Sequence, residues 1–192
     1  MCRLVSLAQV PVNEANLVST IQELCRSHAN GGALLIAFEV GPNSDFDWFA
    51  SRERLLDFDI LGLLLARREV RDALPALEIP DFCIDWSRAS MESANGFEEN
   101  SSFKFDSKLS RVLFYGGAYP SCTGSDGRAE KEAALRFCDT AFGMRFSEVS
   151  YYRSYSAWTD WFGSISTYLD WTAVLFDRRL RKLWILAVTD SD

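Results

Sequence analysis

The sequence predicts a single α+β domain whose sheet is mixed or mainly antiparallel, with helices packed on it and a β-hairpin at the C-terminal end. Three observations carry that expectation. The chain of 192 residues is 48% hydrophobic and 24% charged, which suits one packed domain rather than a disordered segment. Its opening alternates strand, helix and strand. Its last third collects aromatic and β-branched runs, the final two separated only by a short charged connection.

Taken in order, Cys2 to Val10 reads as a first strand. From Asn13 onward Leu17, Ile21, Leu24 and Cys25 recur at helical spacing up to Asn30-Gly31-Gly32. Ala33 to Val40, bounded by Gly32 and Gly41-Pro42, reads as a buried strand, so the opening resembles a βαβ unit. Arg52 to Leu74 places Leu55, Phe58, Leu61 and Leu65 on one helical face, and Pro75 ends it. Between residues 80 and 106 the period is lost among serines, asparagines and glutamates, which predicts a polar loop or insertion within a single domain spanning 1–192.

Ser107 to Tyr115 predicts a short helix ending at Gly116-Gly117. A longer one opens near Ser125-Asp126, presents Ala129, Ala133, Leu135, Phe137 and Ala141, and stops at Gly143. Phe146 to Tyr155, Trp171 to Phe176 and Leu183 to Val188 read as strands. The last two flank Asp177-Arg178-Arg179-Leu180-Arg181-Lys182 and can bury a common face only by folding back on each other.

Five cysteines, Cys2, Cys25, Cys83, Cys122 and Cys138, form no CxxC pair and no even framework, which predicts free thiols. No leader-like segment stands at Met1 to Ala8, and the longest apolar run, Ile60 to Ala66, falls far short of the ~20 residues of a membrane span. The expectation is a cytoplasmic protein that engages no membrane. A net charge of −7 argues against a nucleic-acid partner, since phosphate affinity comes from Lys and Arg.

Charge is unevenly distributed. Glu39 to Asp106 holds fifteen acids and seven bases, whereas Ser107 to Lys182 holds eight acids and eleven bases. The acidic middle is therefore the segment suited to steer a basic partner. Within it stand two Asp-x-Asp triplets, Asp45-Phe46-Asp47 and Asp57-Phe58-Asp59. Carboxylates two apart on an extended segment could share a divalent cation, but neither triplet has a phosphate-binding neighbour, so they read as surface acids and no metal or other cofactor is expected.

Chemistry is sparsely signalled. His28 is the sole histidine and sits late in a predicted helix, which favours a surface or helix-end role over catalysis. HExxH, the P-loop and GxGxxG are absent, and no residue is assigned a catalytic role. The densest aromatic stretch runs from Tyr151 to Trp171 and includes Trp158 and Trp161. With Asp160 and Asp170 as polar groups it could line a ligand pocket, or it could simply fill the core.

The C-terminal third resembles uncharacterised bacterial proteins through Gly116-Gly117-Ala118-Tyr119, Ala157-Trp158-Thr159-Asp160-Trp161-Phe162 and the closing Trp184-Ile185-Leu186-Ala187-Val188-Thr189-Asp190-Ser191-Asp192. In size, acidity and aromatic content the chain is similar to immunity proteins that neutralise bacterial toxins. That likeness implies a protein partner such as a cognate toxin. Two functions stand as expectations: an inhibitor presenting Asp45, Asp47, Trp48, Asp57 and Asp59 to a basic protein, and a small enzyme or ligand-binding protein using Tyr151, Trp158, Asp160, Trp161 and Asp170.

Overall fold

The computed structural model describes residues 5–56, 97–117, 126–155, 162 and 170–190. In chain order these form β1 (Leu7–Val10), α1 (Ala15–Ser27), β2 (Gly32–Val40), α2 (Ser44–Ala50), β3 (Glu98–Asn100), α3 (Phe105–Tyr115), α4 (Arg128–Phe142), β4 (Val149–Ser154), β5 (Trp171–Asp177) and β6 (Lys182–Thr189). Short 3-10 turns at Ser102–Lys104 and Phe146–Glu148 lead into α3 and β4.

All six strands belong to one sheet, ordered β1-β2-β6-β5-β4-β3, and every neighbouring pair is antiparallel. The expected C-terminal hairpin is present, its register running from Trp171↔Val188 to Asp177↔Lys182. The fold is α+β, with helices packed on an antiparallel sheet.

The central strands are apolar at successive positions because both faces of the sheet are covered. Leu183, Ile185 and Ala187 of β6 join Phe38, Tyr152, Val174 and Phe176 on one face, where Phe46 and Ala50 of α2 pack with Leu55 and Phe97. Trp184, Leu186 and Val188 turn to the other face, under Leu17 and Leu24 of α1, Leu109 of α3 and Phe137 of α4.

The opening departs from a βαβ unit, since β1 and β2 pair antiparallel. The register supplies the reason. Only Ala37 to Val40 of β2 meet β1, so five residues, Gly32 to Ile36, run past its end, a distance of about 17 Å at strand rise. The 13 residues of α1 rise about 20 Å. That length carries the chain onward to the far end of β2, from which it must return in the opposite direction.

Two further expectations change. Residues 52–56 form turns rather than the start of a helix, with Glu53 at φ 56°, and 57–74 lie outside the described residues. A helix not expected from the sequence lies earlier, over Ser44–Ala50, with the Asn43 side chain accepting from the Phe46 N–H at 2.9 Å. The later part of the polar stretch 80–106 is structured as β3, a 3-10 turn and the first turn of α3. Glu98 and Glu99 are charged because β3 is an edge strand, and edge strands tolerate charge. Among the described residues no helix is long and apolar enough to cross a membrane.

Candidate functional site

The β5–β6 turn organises one end of the sheet. Asp177 is fully buried, accepts from the Arg179 and Leu180 N–H groups at 2.9 Å, and receives Arg145 at 2.6 Å. Arg181 adopts a left-handed φ of 53° and turns inward. Its guanidinium donates to the Val40 carbonyl at 2.9 Å, the Gly41 carbonyl at 2.7 Å and the Asp47 carboxylate at 2.5 Å. Arg178 likewise reaches the Ser147 carbonyl and Glu53. A turn that reads as basic in sequence thus directs two of its arginines into the fold.

Those contacts fix α2, which carries the first group of predicted residues. Phe46 is buried edge-on against Phe176, with ring centroids 4.9 Å apart. Asp45 is exposed, and Asp47 is held by Arg181, so the first Asp-x-Asp triplet lies on a helix, where residues two apart do not face each other. Trp48 is 45% exposed, with Phe49 edge-on at 4.9 Å and the Arg52 guanidinium 4.2 Å from its ring centre. Asp57 and Asp59 lie outside the described residues.

Of the predicted aromatic pocket, Trp158, Asp160 and Trp161 also lie outside the described residues. Tyr151 is buried, its ring 5.3 Å from Phe105, and burial pushes its phenol pKa up. Asp170 is buried beside the start of β5 and accepts from the Thr189 hydroxyl at 2.7 Å. Burial raises its pKa, and that hydrogen bond works against the rise. The carboxylate therefore ties β5 to the end of β6.

A residue absent from the sequence-based set stands beside these rings. Lys108 of α3 places its ammonium 4.8 Å from the Tyr155 ring centre and 5.4 Å from that of Trp171. Its pKa falls to about 8, chiefly through burial, then through Arg111 and Arg153. Arg153 pairs with Glu98 and lies 5.4 Å from the Tyr155 ring centre. In sequence Lys108 is an ordinary helical lysine, and the only available signal was its position three residues from Arg111.

Where β3 ends and β4 loses that neighbour, a groove of about 740 Å³ opens, lined in part by Glu53, Glu98, Glu99, Phe103, Ser150 and Arg153. Glu98 pairs there with Arg153 and Glu53 with Arg178. Phe103 is exposed and stacks on Phe146 at 5.5 Å. His28 caps α1 and is buried, its Nδ1 donating to the Leu24 carbonyl at 2.9 Å. That is the helix-end position expected of it, without surface exposure. Cys25 and Cys138 are free, and the buried Cys138 thiol is pushed up to about 12 by desolvation. Cys2, Cys83 and Cys122 lie outside the described residues.

No protein-family model and no curated protein matches the chain. Among solved structures it is similar to the crystal structure of citrus MAF1, at 16% identity and a TM-score of 0.44 over 90% of this chain and 97% of that one. A likeness at that level assigns neither activity nor partner.

Proposed function

We propose that this protein acts by binding another protein, as a cytoplasmic inhibitory or immunity-like protein whose partner, such as a toxin, presents a basic surface. The observation that carries the reading is Trp48, an indole 45% exposed yet held by Phe49, Arg52 and the capped helix beneath it. Exposed tryptophans are the commonest interface anchors, and one already held in place loses little conformational entropy on binding. Asp45 lies beside it in the same exposed turn. Steering falls on Asp45, Asp57 and Asp59, because Asp47 is engaged with Arg181.

The test begins with a photo-crosslinking residue at position 48 in native host cells, to capture the partner, followed by binding kinetics at several salt concentrations. Trp48→Ala is expected to raise the dissociation rate about 30-fold, equivalent to ~2 kcal/mol. Reversal of Asp45, Asp57 and Asp59 to Lys is expected to slow association and flatten its salt dependence. Kinetics unchanged in both variants would remove the reading. A second reading, a small-ligand site in the aromatic stretch, is favoured by the half-buried Lys108 over Tyr155 and Trp171.

A further inference from the structure

We propose that β1 is a self-association edge: two copies of this chain pair their β1 strands antiparallel about a two-fold axis through Ala8, so that one sheet runs through both. The pairing uses neither the Trp48 anchor nor the rings around Lys108.

The hydrogen bonds around β2 show which way the β1 backbone faces. The Gly41 N–H donates to the Ser6 carbonyl at 2.9 Å on the β1 side, while the Val40 N–H donates to the Arg181 carbonyl at 2.8 Å on the β6 side. Odd-numbered residues of β2 therefore turn their N–H and C=O groups toward β1. The register Ala8↔Glu39 and Val10↔Ala37 gives Ala8 and Val10 to that ladder. Leu7 and Gln9 turn theirs the other way, off the margin of the sheet. Among the described residues no group bonds to their backbone there. α1 does not close the margin, because it packs over β2, α3 and α4, and both Ala8 and Gln9 are exposed.

Unpaired strand backbone invites pairing with another chain, and sheets usually guard against it. The opposite margin is guarded: β3 carries the exposed Glu98 and Glu99, and a second β3 laid against it would bring like charges together. No charged residue stands between Ser6 and Asn13, so β1 has no such guard. A second copy is the occupant because the strand complements itself, whereas a charged foreign strand finds no charge on β1 to recognise. With Ala8 on the axis, Leu7 of each copy exchanges backbone hydrogen bonds with Gln9 of the other. Ala8 then meets its own counterpart at a non-hydrogen-bonded position, where Cα atoms approach to ~4.5 Å and a methyl side chain suits the closeness. Val5 comes opposite Pro11, which has no N–H to give, so the pairing stops at the ends of β1. An interface built on 4 residues a side makes a weak dimer.

Sedimentation of the full chain tests the pairing. The wild-type protein is expected to pass from monomer to dimer as its concentration rises toward about 1 mM, and a protein still monomeric there would overturn the proposal. Ala8→Lys and Ala8→Glu change an exposed position and leave the β1–β2 bonds in place. Each is expected to weaken dimerisation about tenfold, because like charges meet on the axis. Mixed in equal amounts they are expected to recover the wild-type affinity, since Lys then faces Glu. Variants that dimerise as wild type does, or a mixture no tighter than either variant alone, would rule out the two-fold contact at Ala8. Gln9→Pro removes only an outward N–H and is expected to cause a similar loss. Amide exchange needs no variant: Leu7 and Gln9 should slow about tenfold as wild-type dimer forms, while Ala8, already bonded to β2, should not change. Dimers in which Leu7 and Gln9 stay unprotected would show that the copies meet elsewhere and would overturn the proposal.

Discussion

At the scale of single residues, buried ionisable groups give the protein a pH signature with known sign. His28 has a folded pKa below 6.5, set chiefly by burial and only partly offset by the Leu24 carbonyl and Asp190. Above pH 6.5 both states are neutral there and nothing is gained or lost. Below it the unfolded chain takes up a proton that the folded chain resists, so stability falls. Denaturant midpoints measured between pH 7.5 and 5.5 should fall in the wild type and fall less in His28→Gln; equal slopes would exclude the effect. Lys108 acts in the alkaline window. The folded ammonium loses its proton near pH 8 and the unfolded one near 10.5, so stability should rise with pH from about 8 to about 9, above which the buried Cys138 thiol opposes the rise, and Lys108→Met should abolish it.

Arg181 separates two kinds of contact by magnitude. Its pair with Asp47 is partly exposed, at 30% and 45%, and contributes less than about 1 kcal/mol. Its bonds to the Val40 and Gly41 carbonyls hold the end of β2 and are of the charge-assisted kind, for which removal costs about 2 kcal/mol. Asp47→Asn should therefore be nearly neutral in chemical denaturation and Arg181→Met clearly destabilising. Equal losses would show that the carboxylate dominates. None of this was legible in sequence, where Arg178 to Lys182 offers only charge, and which arginines turn inward depends on strands brought together from far along the chain.

At the scale of elements, sequence periodicity served well where one face is buried and poorly where charge or shortness hides the pattern. α1, α4, β2 and the hairpin were legible because apolar spacing and terminal glycines mark them. α2 was missed: its 7 residues make too few turns to show a period, and only Asn43 before Ser44 signalled its start. β3 was missed because its charged residues are those of an exposed edge. Of the predicted site residues, Trp48 is exposed, whereas Tyr151 and Asp170 are buried within the fold. The corner between α1 and β2 yields a sharper test. A Cβ on Gly31 would lie 2.2 Å from the Thr189 carbonyl oxygen, a backbone atom that cannot step aside. Gly31→Ala should cost about 1–3 kcal/mol of unfolding free energy, as overpacking does, and should loosen amide exchange along β6. A loss below about 0.5 kcal/mol would mean that the corner shifts freely.

At the scale of the whole molecule, the sheet is arranged so that sequence neighbours do not complete it. β1 and β2 form one margin and β5, β4 and β3 the other, and β6 lies between them, bonded to β2 on one side and β5 on the other. The apolar runs made the strands legible, but the hairpin showed only one side of β6. Its second partner, β2, lies about 150 residues away in sequence, with Gly32 opposite Thr189. Such a distant pairing leaves no periodic trace.

That central position has a consequence for biosynthesis. A ribosome makes β2 long before it makes β6, so while the residues between them are being made the strand that β2 will pair with does not exist. Phe38 and Ile36 stay without their final cover until Lys182–Thr189 leave the exit tunnel. Folding of the sheet should therefore wait until β6 has been made. An arrest-peptide series, in which nascent-chain tension reports folding at each length, is expected to stay silent until β6 has cleared the exit tunnel and then to give one pulse. A strong pulse before β6 has emerged would show that β1, α1 and β2 fold without it.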